Sequence, residues 1–128
     1  MKTRGCICLR IARRWVDGHC TVCNHPVLEE QLIPTLIEIL TGGTGLVLWR
    51  NPRGFDERTK TKYGLAPGAA DYVGLCRGRY VEIEFKTKTG RQSPDQKAHQ
   101  LTIERCKGYY SLCRSEDDAR RILKELTS

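Results

Sequence analysis

Val81-Glu82-Ile83-Glu84-Phe85-Lys86 is the stretch on which the reading of this chain turns. Successive side chains of an extended strand point to opposite faces, so Val81, Ile83 and Phe85 fall on one side and Glu82, Glu84 and Lys86 on the other. One face suits a core and the other is charged. Taken alone, that charge fits a solvated sheet face, or an edge that resists aggregation. Upstream, Pro67-Gly68-Ala69-Ala70-Asp71 sets a carboxylate at the opening of a second strand, expected over residues 70–76, in a glycine-containing turn that lets another group approach closely. Arg77 and Gly78 turn that strand into a third over residues 80–87, so the two pair as a hairpin in which Asp71 and Glu84 converge on one cation.

Outward from this hairpin the elements follow in order. Leu28, Leu32, Ile33, Leu36, Ile39 and Leu40 recur at spacings of three and four, which predicts an amphipathic helix over residues 28–40. Pro26 suits its first turn, whereas Pro34 implies a kink or a shorter helix. Residues 46–49 form a short apolar run suited to a buried strand, in which Trp49 packs in the core by default. Residues 50–66 read as a mobile basic loop with Pro and Gly punctuation. Ser93, Pro94 and Gln96 match a capped helix start, with a helix to about residue 107. A fourth strand follows over 109–113, and Ser115 caps a last helix whose stripe is Ala119, Ile122, Leu123 and Leu126. The class is α/β, in the order helix, three strands, helix, strand, helix.

The 128 residues suffice for one core and are too few for two ordinary domains. Residues 1–25 form a Cys-rich basic N-terminal arm, and the compact domain spans 26–128. The net charge of +7 favours a polyanionic partner, nucleic acid before an anionic membrane, because the chain has no long apolar run and no basic helix with a broad hydrophobic face. The run from Cys6 to Leu9 is too short for a signal peptide, which implies a cytoplasmic protein with its seven cysteines reduced.

Asp, Glu and Lys together are a minimal set for phosphodiester hydrolysis. Hard oxygen ligands hold Mg²⁺ or Mn²⁺, which activates water and relieves charge at phosphorus. An adjacent ammonium orients that water and stabilises developing charge.

In these residues the chain resembles the virus-type replication-repair (VRR-NUC) group of the PD-(D/E)XK nucleases. The resemblance covers about residues 29–115 and rests on Trp49-Arg50-Asn51 with Gly54, on the stretch from Gly64 to Asp71, on Ile83-Glu84-Phe85-Lys86-Thr87, and on Gly90-Arg91-Gln92-Ser93-Pro94-Asp95-Gln96. It implies a restriction-endonuclease-like core in the order αβββαβ, with Asp71, Glu84 and the Phe85 backbone carbonyl as metal ligands and Lys86 as the catalytic lysine. The family's acid on the first helix falls on Glu29, with Glu30 as the fallback; a first-turn acid complementing the helix dipole is the plainer role for Glu29. Gln96 matches the family's site glutamine and is assigned to the site on that ground, although it also fits a capping box. The resemblance further implies a DNA endonuclease of phage or bacteria that leaves a 5′-phosphate, selects branched DNA such as Holliday junctions in repair or replication, and acts as a homodimer.

Cys6, Cys8, Cys20 and Cys23 have thiolates suited to a structural Zn²⁺, although Cys6-x-Cys8 is one residue short of a usual knuckle, and reduced thiols in a partly ordered arm are the alternative. Cys76, Cys106 and Cys113 read as small buried hydrophobes. Arg50, Arg53, Lys60, Lys62, Lys88, Arg91 and Lys97 flank the proposed centre and would contact phosphates without reading bases. Trp15, Trp49, Tyr63 and Tyr72 offer rings to unpaired bases. Two other classes stay open: a non-catalytic, zinc-stabilised nucleic-acid binder, and a partner-binding accessory protein.

Overall fold

The computed structural model describes residues 15–16, 19–20, 29–43, 45–86 and 89–128, with side chains from Leu32 onward. Cys6, Cys8, Cys23 and Lys88 lie outside the described residues, as do the side chains of Trp15, Cys20, Glu29 and Glu30. Within the N-terminal segment, β1 (Trp15–Val16) pairs antiparallel with β2 (His19–Cys20).

The main body follows the expected order. It runs α1 (Glu29–Thr41), β3 (Leu46–Arg50), a small hairpin of β4 (Gly54–Asp56) and β5 (Thr61–Tyr63), then β6 (Tyr72–Cys76), β7 (Arg79–Phe85), α2 (Pro94–Arg105), β8 (Tyr109–Cys113) and α3 (Glu116–Thr127). A mixed four-stranded sheet has the order β3-β6-β7-β8, antiparallel except for the parallel pair β7 and β8. Arg77 (φ 53°) and Gly78 (φ 83°) make the two-residue turn between β6 and β7. Both have positive φ, the pattern whose twist suits a tight hairpin.

The apolar face of β7 (Val81, Ile83, Phe85) meets Leu36 and Leu40 of α1 and Ala119, Ile122 and Leu126 of α3, and this layer is the core. Helix α1 runs through Pro34. The opposite face of β7 carries Glu82 and Glu84 and is covered by α2, which starts at the Ser93 cap. There the Ser93 side chain accepts from the Gln96 N–H and the Gln96 side chain from the Ser93 N–H.

Four expectations are corrected. Residues 50–66 contain the β4–β5 hairpin, whose turn is drawn in by the Asp56 carboxylate accepting from the N–H groups of Arg58 (2.9 Å) and Thr59 (3.3 Å). Trp49 is 54% exposed, because it lies on the α2 side of the sheet while α2 packs on β8 and reaches β7 through His99 and Glu82, away from β3. Cys106 is exposed, as the C-cap of α2, while Cys76 and Cys113 are buried as expected. Glu82 and Glu84 are buried, 0% and 4% exposed, where a solvated face would leave both wet.

Gly68 has φ +83°, and a Cβ there would come 2.1 Å from the carbonyl oxygen of Asp95 at the start of α2. Gly78 has the same φ with nothing within 4 Å. Gly78→Ala is therefore expected to cost about 1–2 kcal/mol, the left-handed penalty alone, and Gly68→Ala at least about 3 kcal/mol, since α2 must also shift. Urea midpoints at constant m-value would read the difference.

Candidate active site

The segment entering β6 is held by every backbone polar group of two residues. The N–H of Ala70 donates to Glu82 Oε1 (2.9 Å) and that of Asp71 to Glu84 Oε2 (2.9 Å). On the other side, Asn51 Nδ2 donates to the carbonyl of Ala70 (3.0 Å) and the Asn51 N–H to the carbonyl of Asp71 (2.7 Å). Residues 70 and 71 thus bridge the end of β3 and the buried face of β7. Ala69 and Ala70 are both 0% exposed, next to Gly68, which meets the start of α2.

This clamp sets the Asp71 carboxylate beside that of Glu84. Lys86 Nζ lies 3.7 Å from Glu84 Oε1, and Arg53 lies 3.6 Å from Asp71 Oδ1. Burial chiefly, and the Asp71 carboxylate beside it, push Glu84 above its ordinary range, against the pull of the Asp71 N–H and of Lys86. Burial also pushes the Tyr110 hydroxyl up to about 12, and the charges of Glu84, Glu82 and Asp71 act in the same direction. Asp71 and Arg53 open into a cleft of about 650 Å³ lined also by Arg50, Asn51, Tyr72 and Ile33.

Two neighbouring carboxylates, one of them disfavoured as an anion, form a donor set for a hard divalent cation, which would offset their repulsion. Among the described residues no three His, Cys, Asp or Glu side chains gather for a metal. The expected third acid, Glu29 or Glu30, lies at the start of α1, where side chains fall outside the described residues. Phe85 lies between Glu84 and Lys86 at the end of β7, and its ring packs edge-on against Tyr72 at 5.2 Å, on the core side.

Asp71, Glu84 and Lys86 come together. Gln96 is buried, and its carboxamide oxygen accepts from the Ser93 N–H (2.9 Å), so that atom serves the helix cap and not the carboxylates. Arg50 and Arg53 share the cleft with Asp71, Lys60 and Lys62 are exposed on the hairpin, and Arg91 and Lys97 are exposed around the start of α2. Tyr63 is 52% exposed on the hairpin, while Tyr72 is half-buried against Phe85.

Three residues at the site carried no assigned role in the sequence: Asn51, Glu82 and His99. Glu82 accepts from Ala70, from the Tyr80 hydroxyl (2.7 Å) and from His99 Nε2 (2.9 Å to Oε2). The spacing of Gln96 and His99, three apart on one helix face, was the available signal for the last.

The sequence matches no known protein family and no curated protein. Among the described residues no helix is long and apolar enough to cross a membrane.

Because the folded state holds the Glu84 proton at pH values where the unfolded chain has released it, this group's contribution to stability falls as pH rises from the ordinary value of 4.5 through the raised one. Asp71→Asn removes one source of the shift. The Glu84 midpoint, followed by carboxyl ¹³C NMR, is expected to drop in that variant yet stay above the ordinary value, since burial persists.

Proposed function

We propose that the protein is a metal-dependent DNA endonuclease with a PD-(D/E)XK core of the VRR-NUC type. One observation carries this reading: Asp71, just ahead of β6, donates its N–H to Glu84 of β7 (2.9 Å) and sets its carboxylate near enough to act on Glu84, with the Lys86 ammonium 3.7 Å from Glu84. The helix, strand, strand, strand, helix, strand order of the main body agrees with it once the β4–β5 hairpin is treated as an insertion.

Asp71 and Glu84 would hold Mg²⁺ or Mn²⁺, with the Phe85 carbonyl and an acid at Glu29 or Glu30 completing the set. The ion supplies water activation and charge relief at phosphorus when bound. The chain's own groups do the rest. Lys86, only 21% exposed, places a point charge beside Glu84, where it orients the attacking water and steadies charge developing on the phosphate. Arg50 and Arg53 grip phosphates along the cleft. Arg53 is partnered by Asp71 and would be free for phosphate were that carboxylate engaged by a cation. Gln96 supports the site through α2. Contacts to phosphate carry no base sequence, so selection falls to the shape of the DNA. We assign branched DNA as the substrate and a homodimer as the acting form, because paired cuts across a junction need two centres.

The purified chain is expected to cut DNA with Mg²⁺ or Mn²⁺ and to stop in EDTA, when linear duplex, nicked, flap and four-way substrates are compared on gels. Asp71→Ala and Lys86→Ala should each lower the rate by at least about 10²-fold while retaining DNA binding in EDTA. Binding without metal-dependent cleavage in the wild type would leave the non-catalytic binder as the correct reading.

A further inference from the structure

Glu82 is the most deeply buried charged side chain described, at 0% exposure. Removing a carboxylate from water costs several kcal/mol, and an apolar residue of similar volume would fill the same space without that cost. What an apolar residue cannot do is accept hydrogen bonds. Glu82 accepts from three directions: the Ala70 N–H at 2.9 Å, the Tyr80 hydroxyl at 2.7 Å and His99 Nε2, which lies 2.9 and 3.0 Å from its two oxygens. His99 is itself fixed, its side chain 11% exposed and its ring edge-on to that of Tyr110 at 6.3 Å.

In a regular strand, successive N–H groups point to opposite edges. Those of Ala70 and Asp71 instead both reach carboxylates on β7, two residues apart, and this turn of the backbone sets where the Asp71 side chain emerges. Glu84 holds one of the two N–H groups and Glu82 the other. Glu82 is in turn tied to α2, the helix whose first turn already meets the same segment at Gly68.

We propose that Glu82 and His99 are positioning residues for Asp71: Glu82 is the strut that fixes the Ala70–Asp71 backbone, and His99 ties the strut to α2. The consequence for cation binding and cleavage rests on the nuclease reading above, and the backbone role stands independently of it.

The test uses the full ¹⁵N-labelled chain and four variants. Glu82→Ala removes the acceptor, Glu82→Gln keeps one for Ala70, His99→Phe keeps only the ring, and His99→Gln keeps a donor. The amide resonances of Ala70 and Asp71 are recorded without metal, Mn²⁺ affinity is measured by calorimetry, and cleavage is split into kcat and KM. Glu82→Ala and His99→Phe are expected to move both amides, weaken Mn²⁺ binding by about 10–100-fold and lower kcat at constant KM. Glu82→Gln and His99→Gln should recover most of each loss. Folded Glu82→Ala or His99→Phe chains with unmoved Ala70 and Asp71 amides would overturn the proposal, as would a His99→Gln chain no better than His99→Phe. A wild type that neither binds Mn²⁺ nor cuts DNA would remove the nuclease reading, while the amide shifts still decide the strut. Should Glu82→Ala fail to fold, the His99 pair decides.

Discussion

Strand β7 has to satisfy two incompatible environments at once, and the rest of the molecule is arranged around that demand. Its odd-numbered residues from Val81 to Phe85 anchor the core between α1 and α3, while Glu82 and Glu84 on the reverse are buried beneath α2. Burial of the apolar face locks the strand in register. That rigidity allows the other face to hold two carboxylates in place, since a flexible backbone would let them relax toward water. Their burial is made tolerable by donors from three places, the N–H groups of residues 70 and 71, Tyr80 near the start of β7 and His99 from α2, and by the Lys86 charge just past the strand's end. Each carboxylate therefore knits separate elements together as well as bearing charge.

The segment before Asp71 shows what such an arrangement demands of sequence. Gly68 lies against the Asp95 carbonyl in a left-handed conformation, and Ala69 and Ala70 are wholly buried, so three consecutive small residues bring backbone close enough to β7 for its carboxylates to reach. A side chain at Gly68 would push the start of α2 away from this segment. Asn51 closes the other side with one backbone and one side-chain donor, a pairing in which a carboxylate of equal size would present acceptor to acceptor.

Much of this was legible in the residues themselves. The strong periodicities, the capping signature at Ser93 and the alternation in β7 located the helices and strands because burial and local hydrogen bonding act there in the same direction. Alternation reports which side of a strand a residue occupies but not how deeply that side is covered, so Glu82 read as wet. Gln96 carried two signals at once, and its carboxamide oxygen serves the nearer one, a backbone N–H three residues away. The β4–β5 hairpin escaped notice because its turn has no glycine: Lys60 takes φ 56° and Asp56 supplies acceptors for the turn, a combination that resembles any polar loop. His99 could not be paired with Glu82 from sequence, since the contact spans 17 positions and depends on how α2 lies.

The clamp on Ala70 and Asp71 also bears on how the chain reaches its final form. The β6–β7 hairpin closes over a two-residue turn and needs little loop entropy, whereas Asn51 joins from 19 positions upstream, and His99 arrives only when α2 has docked. The hairpin alone therefore brings Asp71 and Glu84 together, while the ties that restrain them wait for β3 and α2. A hairpin formed ahead of those closures would hold the two acids side by side without the backbone restraints that fix how they face each other.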